Sequence, residues 1–239
     1  MRGGFRIGRK FQEFSRWTLV AALIYAPWDY GGTDEEGVRN TTYLLSLSLI
    51  AWGIGLTIRA GQRAIRRSEA APSAARRISP LLLAATISLL LFGWLMVINA
   101  RAIYDSELHL FVTLQRLWSA GPGSVDQALS AAWMWRATTL LGAICLVADA
   151  VRDPRWLLRI WATVAAVGSS IALLGLVQKA SGAPMIFWRP VDRPVATFFA
   201  TFPYHGNAGA FMNLALPLTI GLAIRAFSRP GQPVVRRFG

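Results

Sequence analysis

Apolar residues in this chain come in long runs separated by short, arginine-rich segments. The runs fall near 15–28, 42–58, 80–99, 131–150, 156–178 and 208–226. Several approach 20 residues, the length of helix that crosses a ~30 Å hydrocarbon layer. The pattern predicts an all-α integral membrane protein forming a single transmembrane region of about six helices. The first run is short for a span; Phe11 and Phe14 extend it, with Arg16 reaching toward the head groups. No small-residue cleavage site follows it, since the chain continues Trp28-Asp29-Tyr30-Gly31-Gly32. A retained first span is expected, not a removed signal peptide.

The segments between the runs add orientation. Of the 25 Lys and Arg, eighteen lie in four clusters, at 2–16, 59–77, 152–159 and 225–237. Six lie in the alternate segments: Arg39, Arg101, Arg116, Lys179, Arg189 and Arg193. Arg136 is inside the fourth run. Cations concentrate on the cytoplasmic side of membrane proteins, so both termini are expected inside. Trp17, Trp28, Tyr43, Trp133, Trp135 and Trp156 lie near run ends, at the depth that amphipathic rings prefer.

Composition agrees. The chain is 54% hydrophobic, 15% charged and has a mean hydropathy of +0.41. A soluble domain so composed would expose large apolar patches. The net charge of +13 does not indicate nucleic acid, because it is spread among topology-setting clusters. One Cys and two His exclude a disulfide framework and a Cys/His metal cluster. Cys145 reads as a small core residue.

Two outside loops are long. In 101–119 the residues Ile103, Leu110, Phe111, Leu114, Leu117 and Trp118 recur at spacings of three, four and seven, which predicts an amphipathic helix lying on the membrane surface in the third loop. It would either cap the bundle or guide a substrate. The fifth loop, 179–206, carries Lys179, Arg189 and Arg193 against one acid, Asp192. Cations in an outside loop oppose the topology rule, and an anion site or a local Asp192–Arg193 contact accounts for them.

Other polar residues sit at the edges of the runs. Arg136 either faces a polar cavity or reaches the interface beside Trp133. Gln178, Asn99, Asn207 and Asn213 are boundary amides, suited to interhelical hydrogen bonds or to ligands. His205, next to the sixth run, is either a general base or an inert loop residue.

Several segments resemble the O-antigen ligase and polymerase superfamily. They are Gly175-Leu176-Val177-Gln178, Phe187-Trp188, Arg193-Pro194-Val195-Ala196-Thr197-Phe198, Asn207 through Leu216-Pro217-Leu218, and Ala26-Pro27-Trp28-Asp29-Tyr30-Gly31-Gly32-Thr33. Ala196 stands where the family usually has Gly, and the turn before Asn207 is longer by Pro203-Tyr204-His205-Gly206. The resemblance implies transfer or polymerisation of a glycan carried on undecaprenyl diphosphate, at the outer face of the bacterial inner membrane, with a lipid or glycan acceptor and no cofactor or metal. It matches Arg193 to the family Arg that holds the diphosphate. Arg189 and Arg136 are helpers by chemistry, His205, Asn207 and Gln178 are polar support, and the catalytic residue is unassigned. Family members usually have about twice as many spans, so an N-terminal half of a longer protein is expected. The alternative is a non-enzymatic six-span protein, such as a transporter subunit or a module that binds lipid-linked glycan.

Overall fold

A computed structural model describes residues 2–66, 80–189 and 197–228. The chain is mostly helical: α1 (Arg2–Trp28), α2 (Glu35–Arg66), α3 (Pro80–Ile98), a hairpin of β1 (Ala102–Asp105) and β2 (Leu110–Thr113), α4 (Gln127–Ala150), α5 (Pro154–Ala180) and α6 (His205–Phe227). Among the described residues, five of these helices, α2 to α6, are long and apolar enough to cross a membrane. That makes the chain a candidate multi-pass membrane protein. Most large apolar side chains of α3 face outward, including Leu81, Leu89 and Leu91, as helices facing lipid do.

The first expected span differs. It is the second half of α1, whose first half carries Arg2, Arg6, Arg9, Lys10, Glu13 and Arg16. Only residues 17–28 remain apolar, which is about 18 Å of helix against a ~30 Å layer. α1 packs through a partly polar face: Gln12, Ser15, Thr18, Leu19, Val20 and Ala22 are buried, and Ser48 Oγ donates to Ser15 O at 2.7 Å.

Two compact units divide the chain: Met1–Ile58 with Ala150–Gly239, and Arg59–Asp149. In the first, α5 packs on α6 and α1. Gly168 sets how closely α5 and α6 approach, since a Cβ there would lie 2.5 Å from the Ala215 Cβ. Gly168→Ala is therefore expected to lower stability by about 1–2 kcal/mol through overpacking. Adding Ala215→Gly should recover most of that loss. The measurement is a double-mutant cycle of thermal unfolding in detergent micelles, where additive losses would show that the two positions do not touch.

A small core of Val167, Ile171, Ala200, Phe202 and Ala208 joins α5 and α6 to the segment between them. Residues 199–202 close a tight turn by mutual backbone hydrogen bonds between Phe199 and Phe202, at 3.0 and 2.9 Å. Thr201 Oγ1 donates to Pro27 O at 2.6 Å, tying this turn to the end of α1.

In the second unit the third loop is not the expected surface helix. It forms an antiparallel hairpin in which Ala102, Ile103, Tyr104 and Asp105 face Thr113, Val112, Phe111 and Leu110. Asp105 Oδ1 accepts from the backbone N–H of Glu107 (2.8 Å) and Leu108 (3.1 Å), and so organises the turn. His109 completes the reversal at φ 51°. Ile103 and Leu110, seven apart, do not share a helix face: Ile103 pairs with Val112 and Leu110 with Asp105, while Tyr104 and Phe111 are directly paired, with ring centroids 5.3 Å apart. Beyond β2, Asn99 at the end of α3 pins the chain. Its Nδ2 donates to Trp118 O and Pro122 O, each at 2.9 Å, and its Oδ1 accepts from Trp118 N at 2.8 Å.

Candidate functional site

In the first unit the chain segments at the end of α5, the start of α6 and the end of α1 converge. Gln178 lies in the last turns of α5. It is 2% exposed, yet neither its amide nitrogen nor its amide oxygen has a hydrogen-bond partner among the described residues. A buried, unpaired amide is costly, about 1–3 kcal/mol per group, and such groups mark functional positions or bound water and ligand. Gln178 lines a cavity of about 420 Å³, together with Gly175, Lys179, Gly182, Thr197, Phe199 and His205. This volume is in the range that holds small molecules or sugar units.

Gly175 shapes one wall. A Cβ there would lie 2.4–2.8 Å from the Phe199 ring, so glycine lets that ring close down on α5. At the opposite side His205 opens α6, and its backbone N–H donates to Thr197 O at 2.7 Å. Its ring Nδ1 also lies 3.1 Å from that oxygen. A carbonyl only accepts, so Nδ1 is the donor in this contact. Lys179 adds a cation, and the cavity therefore offers an ammonium and an amide that both donates and accepts, beside the His205 imidazole.

The turn after α1 borders the same region. Gly31, at φ 66°, sits beneath Phe202, whose ring carbons would be 2.3–3.0 Å from any Cβ at that position. Tyr30 packs edge-on against Phe187, centroids 6.3 Å apart, and the Arg189 guanidinium stacks over Tyr30 at 5.4 Å. Tyr30, Phe187, Trp188 and Ala200 all adopt positive φ, between 48° and 55°. Left-handed backbone costs non-glycine residues on the order of 1–3 kcal/mol each and concentrates where function constrains the chain. Tyr25 Oη donates to Asp29 Oδ2, and Asn40 Nδ2 donates to Tyr25 Oη at 3.0 Å, which fixes the base of the turn.

Of the residues singled out from sequence, Gln178 and His205 line the cavity. Arg189 is exposed and engaged with Tyr30. Asn207 is exposed in the first turn of α6, where its backbone N–H donates to Tyr204 O at 3.1 Å. Arg193 lies outside the described residues. Arg136 belongs to the second unit. There its guanidinium lies over the Trp133 ring at 5.0 Å. Lys179, one of the fifth-loop cations, and Thr197, within the Arg193–Phe198 motif, also line the cavity. The sequence signal for these two and for Tyr30 was a charge and two motifs; what the fold adds is their position, Lys179 and Thr197 at the cavity and Tyr30 under the Arg189 guanidinium.

No family model matches the chain, and neither a curated protein nor a solved structure shows significant similarity to it. The class that fold and site define is therefore a mostly helical, candidate multi-pass membrane protein with a polar cavity at a helix junction.

Proposed function

We propose that this chain takes part in transferring or polymerising a glycan carried on undecaprenyl diphosphate, as O-antigen ligases do, and that the α5–α6 junction forms part of the donor site. The observation that carries this reading is the convergence of segments distant in sequence. Gly175 and Gln178 at the end of α5, and Thr197 and Phe198 before α6, belong to segments that resemble the superfamily, and they line one cavity. The 26–33 segment is tied to the neighbouring turn by Thr201 Oγ1 donating to Pro27 O and by Phe202 packed on Gly31. That cavity's chemistry suits a sugar phosphate. Gln178 offers both donor and acceptor, as a hydroxyl requires, while Lys179 supplies charge for phosphate oxygens. Arg193, with Arg189, would hold the diphosphate in bidentate fashion.

In the reaction the acceptor hydroxyl oxygen forms a bond to the anomeric carbon. The bond from that carbon to the diphosphate oxygen breaks, the lipid diphosphate leaves with the electron pair, and the hydroxyl proton passes to water. Cationic groups stabilise the charge that develops on the leaving oxygen. The outer face of the bacterial inner membrane, with both chain termini cytoplasmic, is the location this reading implies.

The test is glycan transfer in cells carrying Arg193→Ala. We expect transfer to fall about tenfold or more, with the protein's level in the membrane unchanged. Normal transfer by that variant would remove Arg193 from the donor site. Detectable binding of the lipid-linked glycan by a protein that never transfers it would favour a binding module instead.

A further inference from the structure

At the other end of α5 lies a second cluster that the proposed transfer site does not use. Arg159 is held by two indole rings: its guanidinium is 4.9 Å from the centroid of Trp156 and 5.5 Å from that of Trp17. The two rings pack edge to face, 5.3 Å apart. Arg16 also stacks on Trp156, 5.4 Å from its centroid. Trp156 is 4% exposed and anchors the group, whereas Trp17 is 53% exposed.

Among the described residues Asp153 is the acid paired with these cations, and it is occupied. Asp153 caps α5, its Oδ1 accepting from Arg155 N at 3.0 Å, while its Oδ2 lies 3.9 Å from Arg16. Among the described residues the Arg159 guanidinium has ring contacts but no hydrogen bond or ion pair. Stacking uses the faces of a guanidinium and leaves its in-plane N–H fork available, which is the geometry that grips a phosphate. Among the described residues, two immobilised arginines that share aromatic supports and one paired carboxylate form a preorganised anion site.

Its surroundings identify the anion. The site sits where the charged half of α1 gives way to the apolar half, and at the start of an apolar helix 27 residues long. Tryptophan and arginine at such a boundary occupy the head-group layer. We infer that Arg159 and Arg16, held by Trp17 and Trp156, bind the phosphate of an anionic phospholipid at this end of α1 and α5. Lipid bound there would staple the two helices, and the cavity near Gln178 lies about 28 Å away along α5, at 1.5 Å per residue.

The experiment is equilibrium binding of phosphatidylglycerol and of phosphatidylcholine to the delipidated protein in detergent micelles, followed by native mass spectrometry. The wild type should bind phosphatidylglycerol more tightly than phosphatidylcholine. Arg159→Gln should weaken phosphatidylglycerol binding about tenfold and leave phosphatidylcholine unchanged. Arg159→Lys, which keeps the charge but loses the planar fork, and Trp17→Leu, at an exposed position, should each give a smaller loss; they read the same site if Arg159→Gln fails to fold. Equal affinity for the two lipids overturns the inference, as does wild-type affinity in the Arg159 variants. Displacement of the lipid by an equal concentration of inorganic phosphate would show a free-anion site and overturn the lipid assignment. Since Gln178 and Arg193 are absent from this cluster, none of these outcomes bears on glycan transfer.

Discussion

Asn99→Leu is expected to lower the stability of the second unit by about 2–4 kcal/mol and to speed trypsin cleavage after Arg116. Asn99 is 1% exposed and holds three backbone groups of the returning loop: Trp118 O, Pro122 O and Trp118 N. Leucine fills a similar volume but leaves all three without a partner, at about 1–3 kcal/mol for each that water cannot reach. The passage is tight as well, because a Cβ on Gly123 would lie 2.0 Å from Asn99 O. Two further bonds depend on that registration: Ser124 N to Met96 O at 3.0 Å and Arg101 N to Ser124 O at 2.9 Å. Arg116 itself is tied down, donating to Ser119 O at 2.6 Å and to Gly121 O. Loss of the Asn99 clamp frees this loop, so the Arg116–Leu117 bond becomes a better substrate. An unchanged cleavage rate in Asn99→Leu would mean that the loop is held by the hairpin instead. Asn99→Asp keeps the acceptor for Trp118 N but sets a carboxylate against two carbonyl oxygens, and should be at least as damaging.

Asn99 also shows where a sequence stops being legible. It stands at the end of an apolar run, and its position there suggested a boundary amide. Its partners lie 19 and 23 residues further on, in a loop without periodicity, and no local rule selects them. The long apolar helices were legible because their signal is summed over about 20 residues and does not depend on partners. The hairpin was not. Four-residue strands carry too little pattern, and a ladder with a four-residue turn places Tyr104 and Phe111 seven apart, as two turns of helix would. Asp105 decided the matter through its bonds to the next backbone amides, a preference for turns that competes with helix. The same limit applies to the cavity. Gln178 and His205 stood out as boundary residues, but their meeting depends on the turn at 199–202 being drawn against Pro27, a contact across 174 residues. The basic and aromatic stretch beginning at Arg193 thereby separates into parts, since Ala200, Thr201 and Phe202 are buried as core while Thr197 and His205 face the cavity.

The strongest discrimination between a structural and a functional Gln178 comes from Gln178→Leu, which should make the protein more stable and less active together. Most buried amides pay for their desolvation with hydrogen bonds, and their replacement by leucine destabilises the protein. Gln178 has no such bonds in the described structure, so its burial costs free energy with no return from the fold. Leucine, of similar volume and suited to a helix lined by Ile171, Leu174 and Phe199, should raise stability by about 1–2 kcal/mol. The amide's use must then lie in something that enters the cavity. If a sugar hydroxyl pairs with it, glycan transfer should fall about 10- to 100-fold in Gln178→Leu, because the substrate's hydroxyl would meet an apolar wall. Gln178→Glu should fail differently: it retains an acceptor but brings a negative charge near the donor's phosphates, so binding should weaken most at low salt. Thermal unfolding in micelles and transfer in cells read the two effects separately. A stability loss in Gln178→Leu would reveal a structural partner for the amide and remove it from the site. A stability gain with transfer intact would leave the cavity without a substrate. Only the opposed pair of changes fits a residue kept at the expense of the fold for what it binds.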